Sequence, residues 1–192
     1  MALIFAGFAA QADFEKGVAG KVHLEGGKAL AEKGERVITK YNCRSCHMID
    51  FKGGALSKAL QDTNISPPAL VKEGQRVQVN WLYSFLKKPT PIRPMVKVRM
   101  PTYPFTQEEI NSVLQYFNHK TSETFPFQGS HQYSGGSKAR EEGKKLFKTH
   151  NCQLCHAVSL SGVPARLKAG GVIAPPLNLA YKRLRGDWMS EW

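Results

Sequence analysis

The chain has 192 residues, 42% of them hydrophobic, and a formal charge of +12 from 27 Lys and Arg against 15 Asp and Glu. That length holds one or two domains, and no segment approaches the ~20 apolar residues that a membrane-spanning helix needs. No nucleic-acid recognition motif accompanies the basic excess, which fits an acidic protein partner or an anionic surface better.

In chain order, residues 1–12 form a short apolar run ending in Ala10-Gln11-Ala12, the A-x-A form of a signal-peptidase site. It lacks a positive n-region, so a late start codon or an apolar arm would look the same; residues 1–22 are read as an apolar leader or signal remnant. From Gly26 to Tyr41, Leu30, Gly34, Val37, Ile38 and Tyr41 recur three and four apart, predicting a helix. A shorter helix, Trp81 to Leu86, is stopped by Lys88-Pro89. Pro89, Pro91, Pro94, Pro101 and Pro104 then mark a stretch that is irregular and wraps something. Thr106 and Glu109 have the spacing of a capping box, opening a helix with Ile110, Val113, Leu114 and Phe117 on one face. Residues 121–136 read as a linker, and a helix from Ser137 to His150 follows.

The chemistry lies in two pentapeptides, Cys43-Arg44-Ser45-Cys46-His47 and Cys152-Gln153-Leu154-Cys155-His156. C-x-x-C-H is the attachment signature of c-type haem: two thiols form thioethers to one porphyrin, and the next His ligates its iron. All four cysteines fall in these motifs, leaving none for a disulfide. A thioredoxin-like redox pair and a four-cysteine zinc site are the alternatives, and neither needs a His directly after the second Cys.

The motifs belong to an internal repeat. At an offset of 109, Gly34 falls on Gly143, Val37 on Leu146, Tyr41 on His150 and Asn42 on Asn151. Ile65-Ser66-Pro67-Pro68 recurs as Ile173-Ala174-Pro175-Pro176 at an offset of 108, and Trp81 as Trp188 at 107. Domain 1 is placed at 23–120, the linker at 121–136 and domain 2 at 137–192. Such small domains bury little surface alone, so a covalently held haem is expected to act as the missing core.

Residues 26–120 resemble a class I cytochrome c domain: N-terminal helix, C-x-x-C-H, Pro-Pro loop, central helix, Met loop around Arg99-Met100-Pro101-x-Tyr103, and C-terminal helix. The resemblance implies an all-α fold of two tandem cytochrome c-like domains around two haem c groups, held by Cys43, Cys46, Cys152 and Cys155. It implies His47 and Met100 as ligands of the first iron and His156 as a ligand of the second; Met95 is the rival to Met100. A proline-loop carbonyl, from Pro67 or Pro68 and from Pro175 or Pro176, is expected to accept the His ring N–H, with Pro68 and Pro176 preferred. Gly34 opposite Tyr116 and Phe117 would permit a close helix crossing, and Arg76 and Trp81 are candidates for touching a haem propionate. In domain 2 the counterpart of Met100 would fall past Trp192; the expectation is that the polypeptide continues, with His119, His131 and His150 as other available ligands.

The expected function is diheme electron transfer between redox proteins, with an acidic partner, a membrane-bound respiratory complex among the candidates, and no small-molecule substrate. The alternative is a diheme peroxidase-like enzyme with an open second haem, against which stands the lack of a distal acid/base constellation. Thioether attachment is extracytoplasmic in bacteria, which points to the periplasm.

Overall fold

A computed structural model describes residues 26–93, 96–120, 136–156 and 174–191. Their regular secondary structure is helical apart from one two-stranded ribbon, in agreement with the all-α expectation. No helix among the described residues is long and apolar enough to cross a membrane.

The chain divides into two compact units. The first comprises residues 1–90 and 98–128, the second residues 91–97 and 129–192.

In the first unit, helix α1 (Gly27–Lys40) forms because Ala31, Gly34, Val37 and Ile38 make one continuous buried face. It ends where the Tyr41 N–H closes on the Val37 carbonyl at 3.0 Å and Asn42 turns left-handed at φ 52°. Asn tolerates that conformation better than most residues, and the turn starts α2 (Cys43–Cys46). A ribbon follows, β1 (Met48–Ile49) antiparallel to β2 (Lys52–Gly53), with Met48 opposite Gly53 and Ile49 opposite Lys52. Its two-residue turn sets Asp50 and Phe51 at φ 50° and 61°, the double left-handed geometry that matches strand twist. Helices α3 (Ala55–Leu60), α4 (Glu73–Arg76), α5 (Val79–Lys87) and α6 (Gln107–Lys120) complete the unit.

The capping box is present: Thr106 N–H donates to Glu109 Oε2 at 2.9 Å and Glu109 N–H to Thr106 Oγ1 at 3.1 Å. Helix α6 packs chiefly on α1, and Gly34 is the crossing point. A Cβ added there would lie 2.0 Å from the Ser112 carbonyl oxygen and 2.8 Å from Tyr116 Cβ. Only glycine lets the backbones approach so closely. Tyr116, Ile38, Ile49, Ile110, Leu114 and Val77 are the largest fully covered apolar side chains around this crossing and the loops beside it.

In the second unit, α7 (Gly136–Thr149) leads through Asn151, left-handed at φ 56°, into a 3₁₀ turn (Cys152–Leu154). A second 3₁₀ turn (Leu177–Leu179) runs into α8 (Ala180–Arg183), and α9 (Gly186–Glu191) follows. The sequence repeat is thus a structural repeat. α8, extended Leu184 and α9 reproduce α4, extended Val77 and the start of α5, each displaced by 107 positions. Here the halves differ in packing: Gly143, the counterpart of Gly34, has nothing within 4 Å of an added Cβ among the described residues.

Candidate haem-attachment sites

Each motif is built as one helical turn closed on itself. His47 N–H donates to the Cys43 carbonyl and His156 N–H to the Cys152 carbonyl, both at 2.9 Å. That closure places two thiols three residues apart on one turn and the imidazole just beyond it. All four thiols are free, with Cys43, Cys46 and Cys152 half-buried and Cys155 exposed. Burial pushes the Cys43 thiol above its ordinary pKa.

The first imidazole is fixed from the loop opposite. His47 Nδ1 lies 2.8 Å from the Pro68 carbonyl oxygen, which can only accept, so Nδ1 carries the proton and Nε2 is left with its lone pair for a metal. Pro67, the other candidate, instead takes the Ser57 hydroxyl at 3.2 Å. Leu70 N–H donates to the Met48 carbonyl at 2.8 Å, tying the same loop to β1. Burial holds the His47 pKa below its ordinary value; the Pro68 bond and the Glu73 charge oppose that shift without reversing it. A neutral imidazole is the form that binds iron.

The second imidazole repeats the arrangement. His156 Nδ1 is 2.8 Å from the Pro175 carbonyl oxygen. Pro176, the residue expected from the sequence, does not take this role: its carbonyl accepts Leu179 N–H at 3.1 Å and starts the 3₁₀ turn. Pro68 therefore corresponds to Pro175, at an offset of 107. The sequence alignment at 108 followed the tandem prolines, whereas the fold follows the hydrogen bond.

The Met loop reaches the first motif through aromatic packing. Tyr41, just before the motif, stands edge-on to Phe105 at 4.5 Å between ring centroids and 5.2 Å from Tyr103. Tyr103 has its phenol pKa raised by burial first, and then by the nearby thiols of Cys43 and Cys46. Met100, three residues before Tyr103, is half-buried in this segment. Met95 lies outside the described residues, as does His131. His119 is in the last turn of α6, and His150 is exposed at the end of α7.

Trp81 sits on α5, half-buried and stacked on Phe85 at 4.8 Å. Arg76 forms an ion pair with Glu73 and reaches the Ala69 carbonyl at 3.4 Å, while its Nε is buried with no hydrogen-bond partner among the described residues. A buried, unanswered donor beside the His47 loop suits an anionic carboxylate such as a propionate.

Other residues tie the motif in place and were missed from sequence. Arg44 donates to the Tyr116 hydroxyl at 2.9 Å and pairs with Glu35 at 3.4 Å, and the Tyr116 hydroxyl donates to Asp50. Burial first, and then that Asp50 bond, raises the Tyr116 pKa. Gly54 N–H closes on the Arg44 carbonyl at 2.8 Å, and a Cβ at Gly53 would meet that carbonyl at 2.4 Å. Arg44 occupies a variable position of C-x-x-C-H, so its role carries no local signal.

Two thiols on a helical turn, an adjacent imidazole of fixed tautomer, and a methionine loop folded over the same turn define a c-type haem protein. The sequence model described as Cytochrome c matches residues 31–120 and 140–191, so the chain belongs to the cytochrome c family. It is an electron-transfer haem protein of the kind that carries covalently bound haem c. No curated protein and no solved structure matches the chain.

Proposed function

We propose that the chain is a diheme electron carrier, with one haem c on Cys43, Cys46 and His47 and the other on Cys152, Cys155 and His156. The observation that carries this reading is the duplicated geometry: in both halves the His ring Nδ1 stands 2.8 Å from a proline carbonyl. When bound, each haem c supplies a one-electron iron couple. The chain does the rest. Pro68 and Pro175 orient the imidazoles and increase their donation. The Met100 thioether would supply a further ligand to the first iron, and a neutral sulfur ligand favours the reduced state. Tyr41, Tyr103 and Phe105 exclude water from the thiol side.

Mass of the intact holoprotein tests the count, with two haems expected and one refuting the diheme reading. Met100→Ala is expected to abolish the near-infrared sulfur-to-iron band of the oxidised protein and to lower one potential only. If the band survives Met100→Ala and vanishes in Met95→Ala, the ligand is Met95. Carbon monoxide added to the reduced protein is expected not to bind readily. Ready binding at one haem together with peroxide-dependent oxidation would establish the enzyme reading instead. The charge of +12 supports an acidic redox partner, and thioether attachment supports the periplasm, where a respiratory complex would supply or accept the electron.

A further inference from the structure

The two attachment sites differ in one buried charge. Glu73 is 3% exposed, an unusual burial for a carboxylate, and it begins α4 on the loop that positions His47. Its partner Arg76 is anchored on the Ala69 carbonyl at 3.4 Å, and Ala69 directly follows Pro68, whose carbonyl holds the His47 ring at 2.8 Å. Carboxylate, guanidinium, loop and imidazole therefore form one connected assembly. In the second half the register of α8 on α4 places Arg183 at the position of Arg76 and Ala180 at the position of Glu73. The arginine is repeated and the carboxylate is not.

We propose that Glu73 is a potential-setting residue of the first haem: its buried negative charge stabilises the oxidised iron held by His47, and Ala180 leaves the second haem without that contribution. The proposal rests on the haem c reading above. Its physical basis is that oxidation adds one positive charge at the iron, which a nearby fixed anion favours, and that a charge inside the protein is screened far less than one in water. Arg76 offsets part of the field and holds the carboxylate in place. Removing Glu73 leaves that guanidinium facing the site alone, so the loss of the anion is felt in full.

Redox titration of the holoprotein followed in the visible spectrum tests this, in the parent, in Glu73→Gln and in Ala180→Glu. Gln preserves the shape of Glu73 while removing its charge. Glu73→Gln is expected to raise one of the two midpoints and leave the other unmoved, changing the reduced-to-oxidised ratio at fixed potential by on the order of tenfold. For a one-electron couple that is a shift of about 59 mV. Met100→Ala identifies which midpoint belongs to the first haem, and the same midpoint must respond. Ala180→Glu is expected to lower the other one. Haem content by mass separates the two ideas: two haems with both midpoints unmoved in both variants would overturn the role of Glu73 and leave the carrier reading intact. A parent protein without covalent haem would overturn the carrier reading itself.

Discussion

At the scale of single residues, two glycines in equivalent positions of the repeat have different surroundings. Gly34 lies where an added Cβ meets the Ser112 carbonyl at 2.0 Å, backbone that cannot rotate away, whereas Gly143 has nothing within 4 Å among the described residues. Gly34→Ala is therefore expected to force α1 from α6 and cost about 1–3 kcal/mol, the usual penalty of overpacking. Gly143→Ala sits on an open helix face, where the better helix former gains up to about 1 kcal/mol. Thermal unfolding checks the pair: Tm should fall for Gly34→Ala and hold or rise for Gly143→Ala. An equal loss for both would show a partner packed against the Gly143 face.

At the scale of elements, the start of α6 is the best-defined local structure, and it is electrostatic. Glu109 accepts Thr106 N–H and pairs with Lys40 of α1 at 2.7 Å, so the same carboxylate caps one helix and docks another. Its pKa is held below 4.5 chiefly by the Lys40 hydrogen bond, then by the Thr106 backbone N–H. The folded pKa is below the unfolded one, so the folded protein binds fewer protons as pH falls. The stabilisation is thus complete above about pH 4.5 and disappears as pH drops through the folded value. Glu109→Gln, which keeps the cap's shape, should be less stable than the parent to urea near neutrality, and the gap should narrow and close as pH falls through the folded pKa, below 4.5. A gap that persists in acid would mean that the charge does not matter there. Thr106→Ala removes the other arm of the box and is expected to cost about 0.5–2 kcal/mol.

At the scale of the whole molecule, the charge of +12 is the property a partner meets first. Lys138, Arg140, Lys144, Lys145 and Lys148 are all exposed on α7, and Lys144 has a partner of its own sign-opposite, Glu141. Electron-transfer encounters are small and brief, so long-range attraction governs how often they occur. The association rate with an acidic redox partner should fall steeply as salt rises, because exposed charges are screened beyond about 10 Å at 0.1 M. A salt-independent rate in stopped-flow measurements would point to a permanent apolar subunit contact.

The amino-acid sequence alone made legible the attachment motif, the repeat, the helix α1 and the Thr106–Glu109 cap. Each is a local pattern: thiols and imidazole at fixed spacing, apolar residues at helical spacing, a capping pair three apart. What only the tertiary structure decided is which distant groups meet. The ribbon turn at Asp50-Phe51 carries no Gly or Asn to announce it, yet Asp50 is held there by Tyr116 from 66 residues away. Pro175 rather than Pro176 orients His156 because the hydrogen bond depends on how the loop closes, and a tandem proline offers two carbonyls to choose from. Glu73 carries no local signal of burial in the sequence. Its burial against Arg76, beside the loop that holds His47, came from folding alone, because desolvation and pairing are properties of neighbours that the chain brings together only in three dimensions.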